Sequence, residues 1–376
     1  MTLPPRYASI QIARAFAALA VLAAHAQSLP ESLGLAHFEH SAWSFGQAGV
    51  DIFFVISGFI IAAVVERTDG VSKFVARRAL RILPFYWFFT AMWALILLSV
   101  WNDPPDTVHL AASMAVLPQD VVPVLGVGWS LEHELIFYGI VALLIAFGRA
   151  DDLFGVMAVV ASASIVAHVA WPSQVEGAIG GHLLSLYHVQ FFAGVALFRW
   201  RKAVAAMSWD TTLLFGAFLF PASAIVLHFL YGTAVPAQPI GFEGIARVGL
   251  WGLASALVLS GLLAFESQRA DLMRSRAARA LVYLGGASYT LYLSHPIVIA
   301  GTAFVLEGYW PTGWPPFAAE VSAMAAALCF ALIFYRWIEA PSLRHLNALA
   351  DHVAAPEADP LQPSGDGLPR RRLDRV

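Results

Sequence analysis

A single cysteine, Cys329, stands in 376 residues, so neither a disulfide framework nor a thiolate metal site can be assembled within the chain. Charge is nearly as scarce. Asp, Glu, Lys and Arg make up 12% of the residues against 59% hydrophobic ones, and the mean hydropathy is +0.69. A globular domain carries about 25% charged residues, so a chain this apolar needs lipid around it. There is no Walker loop, no dinucleotide fingerprint and no Gly-x-Ser-x-Gly elbow. No helix carries a spaced His and carboxylate set, and His37 and His40 fall in a loop, so no metal is expected. Internal repeats are not apparent either, which leaves an inverted-repeat transporter without support.

What the chain does have is long apolar runs. A hydrocarbon core of about 30 Å takes roughly 20 helical residues to cross. Such runs can be placed at 8–28, 45–66, 79–101, 128–148, 153–171, 182–200, 210–231, 243–265, 280–304 and 316–339. They are continuous rather than alternating, and lipid forces each segment to satisfy its own backbone, so helices are predicted and strands are not. The fold class is therefore an all-α membrane protein, a bundle of about ten spans, with a short re-entrant or interfacial helix expected within 104–125.

The basic residues orient this bundle. Arg6, then Arg67, Lys73, Arg77 and Arg78, then Arg149, Arg201, Lys202, Arg269, Arg274, Arg276, Arg279 and Arg344 all fall on one side. The opposite loops, 29–44, 102–127, 172–181, 232–242 and 305–315, hold no Lys or Arg. The positive-inside rule then places both termini in the cytosol. Residues 1–341 read as the transmembrane domain and 342–376 as a disordered cytosolic tail, in which Arg370, Arg371 and Arg372 can meet anionic lipid. Arg6, an apolar run and Ala24-His25-Ala26 imitate a signal peptide, but Arg14 in the middle of that run argues against one.

Several ionisable groups fall inside the spans. Arg14 and His25 are eleven residues apart, which on a helix turns through about 1100° and rises about 16 Å, so both lie on one stripe. Charges at membrane depth usually face a bundle interior or a wet cavity, although Arg14 could also snorkel to the surface. Asp51 begins the second span at the depth of His25. It is either the carboxylate that orients an imidazole base or a cap on its own helix. Arg77, Arg78 and Arg81 gather at the mouth of the third span, a pattern that fits either an anion with several phosphates or ordinary topology signals. The fourth span opens with Glu132, His133 and Glu134 at the level of His25, with Trp129 and Tyr138 as flanking aromatics. His295 precedes Pro296 in the ninth span and is either a cavity residue or part of a kink. Ser57-Gly58 reads as a helix-packing site, and Glu243 with Arg247 and Arg336 with Glu339 read as structural pairs.

These residues resemble acyltransferase family 3, membrane proteins that O-acylate bacterial surface polysaccharides and other acceptors. The resemblance rests on Arg14 with ten residues before His25, GVDIFFVISGFII, Arg78-Ala-Leu-Arg81 leading to ILPFYW, GWSLEHELIFY and ASYTLYLSHP, and it spans about residues 8 to 340. It implies a ten-helix core, an acyl-CoA donor (acetyl-CoA foremost) and no tightly bound cofactor. By this resemblance His25 would be catalytic, Arg14 and His25 would form the first-span motif, and Arg78 with Arg81 would bind the donor. Placement of the residues adds Asp51, Glu132 or Glu134 as groups assisting His25, Arg14 and Arg77 as further donor contacts, and Trp129, Tyr138 and His295 as substrate contacts. His133 departs from the family pattern, leaving the choice between Glu132 and Glu134 open. No esterase-like domain follows the membrane part, so transfer would occur at the bundle itself. Expected partners are acyl-CoA, a glycan or glycolipid acceptor and the lipid bilayer, with no nucleic acid; homo-oligomer formation stays open. The expected location is the bacterial cytoplasmic (inner) membrane. The rival function is a secondary transporter or flippase of a lipid-linked sugar, which would also keep ionisable groups at depth.

Overall fold

A computed structural model describes residues 7–34, 45–68, 70–232, 240–311 and 314–353. Arg6, His37, His40 and the tail with Arg370, Arg371 and Arg372 lie outside them. Among the described residues all regular structure is helical. Within those residues ten helices are long and apolar enough to cross a membrane: α1 (Ala8–Ser32), α2 (Gly46–Val65), α3 (Val71–Ser99), α4 (Gly126–Ala146), α5 (Ala150–Ala170), α6 (Ala178–Arg199), α7 (Trp209–Leu230), α8 (Gly241–Gln268), α9 (Ser288–Leu306) and α10 (Phe317–Ala350). Large apolar side chains face outward on many of them, among them Phe229, 83% exposed, and Trp337, 71% exposed, as a lipid surround requires.

The expected spans are recovered in number and order, with three informative differences. First, α3 begins at Val71 rather than 79, so its arginines sit on the helix and not at its mouth. Second, the segment expected as 280–304 is divided: Arg276–Gly286 is a separate helix with a strongly one-sided apolar face, and the span begins at Ser288. The Ser275 hydroxyl caps that separate helix by accepting from the Ala278 amide. Third, α10 runs past 341 through a π-helical turn, Tyr335–Glu339, into a final stretch, Ala340–Val353. The short helix expected within 104–125 is Thr107–Met114, with Asp106 as its N-cap accepting from Val108 and His109 amides at 2.9 and 3.1 Å.

α1 is the hub, packing against α2, α8, α9, α10 and the Arg276–Gly286 helix. Its first turn is held by Glu266 of α8, whose carboxylate accepts from the Ala8 and Ser9 amides and the Ser9 hydroxyl. The bundle is tightened by close backbone contact at small residues. Gly58 of α2 and Gly194 of α6 face each other so closely that a Cβ on either would strike the backbone carbonyl of Phe191 or Val55. Ser57-Gly58 thus is a packing site, as its sequence suggests. α7 is peripheral and packs chiefly on α8.

Candidate active site

Six helices contribute to a single cavity of about 450 Å³, within the range of small-molecule sites. α1 contributes Gln11 and Arg14 at helical spacing, and α2 contributes Phe53, Ser57 and Ile60. From α3 come Lys73, Arg77, Arg78 and Arg81, in steps of four, one and three residues, so that one side of the helix carries a column of cations. α4 supplies Ser130, Glu134 and Tyr138, and α9 supplies Tyr289 and Tyr292. Arg67, Leu343 and Asn347 complete the lining at the basic end. The helical start of α3 at Val71 makes this possible, because it fixes the rotation of Lys73, Arg77, Arg78 and Arg81 relative to one another.

Inside the cavity the polar groups form an ordered network. Arg78 hydrogen-bonds the Tyr138 hydroxyl, which donates to Glu134, and Ser57 Oγ donates to the same carboxylate oxygen at 2.7 Å. Arg14 lies within electrostatic reach of Arg81, Glu339 and Glu134. Glu339 accepts from the Thr290 hydroxyl rather than pairing with Arg336, which is exposed and lies over the ring of Trp337. Four expected donor-site residues, Arg14, Arg77, Arg78 and Arg81, are thus brought together, and Tyr138 and Glu134 join them.

His25 is placed elsewhere. It is exposed at the last turn of α1's regular helix, Ala8–Ala26, and does not line the cavity. Its neighbour is His295, with ring centroids 4.8 Å apart at 63°, and the His295 ring lies 6.0 Å from that of Tyr292 at the inner end of the cavity. The stripe expected to join Arg14 and His25 is therefore interrupted: Tyr292 and His295 stand between the cavity and His25. Tyr292 is fixed there by hydrogen bonds of its hydroxyl with Ser130 Oγ at 2.8 Å and the Val127 carbonyl at 3.1 Å. Phe53 packs edge-on against its ring.

The expected pairing of Asp51 with His25 is corrected. Asp51 is fully buried and held by Arg247 of α8, at 3.2 and 3.4 Å, and by the Gln190 side chain of α6. A carboxylate in an apolar interior takes the guanidinium that reaches it, and Arg247, expected beside Glu243, is that group. His25 instead donates its Nδ1–H to the Val21 carbonyl one turn back, at 2.9 Å, which leaves the lone pair on Nε2. Glu132 and Glu134 also part company, because two residues on a helix point about 200° apart. Glu134 faces the cavity, whereas Glu132 is buried against His182 Nε2 at 2.7 Å, with His182 Nδ1 donating to the Ala178 carbonyl. His133 stacks on His182 at 4.5 Å, and Trp129 packs among Phe54, His133 and Tyr187 rather than lining the cavity. Sequence reasoning missed His182, Ser130 and Tyr292, and it read Arg67 and Lys73 as topology signals only. For Lys73 the available sign was its helical spacing of four residues from Arg77. Among the described residues no group of three or more His, Cys, Asp or Glu is arranged to hold a metal ion.

Comparison with known proteins gives this cavity its context. An exopolysaccharide production protein, ExoZ of Rhizobium meliloti, is 27% identical over 324 residues, covering 81% of this chain and 92% of that protein. An acyltransferase, MdmB of Streptomyces mycarofaciens, is 25% identical over 400 aligned positions, covering 98% of this chain and 99% of its own length. No solved structure matches the chain. The acyltransferase domain profile, Acyl_transf_3, aligns with residues 7–336, which include all the cavity-lining residues except Leu343 and Asn347. The chain belongs to that family and is an acyltransferase.

Proposed function

We propose that this enzyme is an O-acyltransferase of the bacterial cytoplasmic membrane that takes an acyl group, acetyl foremost, from cytosolic acyl-CoA and delivers it to a hydroxyl of an exported glycan. The observation that carries this reading is the column of Lys73, Arg77, Arg78 and Arg81 facing Arg14 across the cavity. Guanidinium forks grip phosphate bidentately, and a donor with several phosphates suits several of them. The positive-inside rule puts that basic end in the cytosol, where acyl-CoA is made. The cavity volume of about 450 Å³ suits a pantetheine arm reaching inward past Ser57 and Phe53 toward Tyr292.

His25 serves at the other end. With Nδ1–H committed to Val21, its Nε2 can take the proton of an incoming hydroxyl as the oxygen attacks the thioester carbonyl. The glycan acceptor is supported by the printed role of the Rhizobium meliloti relative in exopolysaccharide production. Labelled acetyl-CoA supplied to proteoliposomes tests the reading directly: consumption of thioester with label on a sugar acceptor is expected. His25→Ala should reduce this to background in a protein that still inserts and folds. Undiminished transfer by that variant, or solute movement without thioester consumption, would refute it.

A further inference from the structure

The cavity differs in chemistry from one end to the other. Along α2 its lining follows one helical stripe, Val50, Phe53, Ser57, Ile60 and Val64, which rises about 21 Å with Ser57 at its midpoint. Glu134 meets that midpoint, and Lys73, Arg77 and Arg78 gather on the Val64 side of it. Side chains on a helix tilt toward its N-terminus, and α1 and α3 both begin at the basic end, so Arg14 and Arg81 lean the same way, within electrostatic reach of Glu339. Past Ser57 the wall changes. There it is Val50, Phe53 and Phe54 of α2 with Leu131 of α4, and the hydroxyls present, those of Ser130 and Tyr292, are bonded to each other at 2.8 Å. A ligand that fills both halves carries its anionic groups at one end and an apolar group at the other. Under the acyl transfer proposed above, on which this inference rests, that apolar group is the acyl chain.

Most of this apolar end cannot give way. The Phe54 ring is wedged between those of Tyr187 at 4.7 Å and Phe191 at 4.9 Å, with Trp129 and His133 behind it at 6.1 and 6.3 Å. Val50 and Leu131 are buried, and a Cβ at neighbouring Gly49 would strike the Ala17 carbonyl, so this turn of α2 already lies hard against α1. Tyr292 is pinned by Ser130 and by the Val127 carbonyl. A close-packed wall of this kind resists even one added methylene. Phe53 is the exception. It is partly exposed, it stands on the stripe between Ser57 and Val50, and its ring meets that of Tyr292 edge-on at 5.9 Å. Its size can change with the least disturbance to what surrounds it.

We infer that Val50, Phe53, Phe54 and Leu131 hold the acyl chain of the donor, and that Phe53 sets the longest chain the enzyme admits. One methylene too many in an apolar pocket costs about 10- to 200-fold in selectivity, so a stiff end wall makes a sharp gauge. The test compares kcat/KM for acetyl-, butyryl-, hexanoyl- and octanoyl-CoA in proteoliposomes. In the wild type it should fall by about 100-fold or more from acetyl to octanoyl. Phe53→Ala should raise the hexanoyl-to-acetyl ratio by about 10-fold or more, and Phe53→Leu, the milder change, by less. Ile60→Ala, on the same stripe but across Ser57, should leave that ratio within about twofold of wild type. A butyryl-CoA with a diazirine at the end of its chain needs no variant, and in the wild type it should label α2 or α4. Three results overturn the inference while leaving acyl transfer standing: a flat wild-type series, an unchanged ratio in whichever Phe53 variant still transfers acetyl, or label confined to other helices. Failure of the wild type to transfer any of these acyl groups would instead remove the proposed function, and the inference with it.

Discussion

The two ends of the bundle treat charge in opposite ways. At the basic end, Lys73, Arg77, Arg78 and Arg81 face a cavity of about 450 Å³ with Arg14 opposite, and the nearby carboxylates Glu134 and Glu339 are already held by hydroxyls of Ser57, Tyr138 and Thr290. At the other end each buried carboxylate has its own cation or imidazole: Asp51 with Arg247, Glu132 with His182. None of these four side chains lines the 450 Å³ cavity, and all four are buried. Net positive charge facing a large opening marks a place for an anion, whereas charge compensated inside a sealed wall marks a fastening.

That contrast can be broken by substitution, starting where the effect should be greatest. Arg247→Ala strands Asp51 in the interior and should cost about 3–5 kcal/mol of stability, seen as a large fall in thermal unfolding temperature in detergent. Its apparent affinity for acetyl-CoA, measured on whatever remains folded, should stay near wild type. The double variant Arg78→Ala with Arg81→Ala should do the reverse. Loss of two charge-assisted contacts predicts a rise in KM for acetyl-CoA of about 100-fold, with unfolding temperature little changed. Should the first weaken donor binding and the second not, the assignment of the two ends is mistaken. Ser57→Ala removes one of two hydroxyls from Glu134 and should cost about 1 kcal/mol, visible as a few-fold loss in transfer rate. Smallest of all is Arg201→Ala, which breaks an exposed pair with Glu66 at 3.1 Å; it should change stability by less than about 1 kcal/mol and leave transfer unaltered.

Much of the fold could be read from the chain because lipid imposes a minimum length on each apolar run, and that length survives in the composition of every span. The clustering of Arg77, Arg78 and Arg81 was legible for a similar reason, since helical spacing alone puts them together. Partners across helices were not legible. Asp51 finds Arg247 at a separation of 196 residues, and Glu134 finds Ser57 at 77. In a soluble bundle an apolar stripe tells which face turns inward, but a membrane helix is apolar all round, so its rotation leaves little trace in the pattern. The early start of α3 escaped for a related reason. Residues 71–78 are too polar to count as span, yet they continue the same helix, and hydropathy finds only the part that sits in lipid.

The π-helical turn at Tyr335–Glu339 sets the phase of everything beyond it. One surplus residue advances the following stretch by about 100° compared with an unbroken α-helix. Leu343 and Asn347 reach the rim of the cavity only with that offset in place. Excising a single residue there would leave the composition of Ala340–Val353 untouched and yet turn its inner side away, unroofing the basic end of the cavity without altering any group inside.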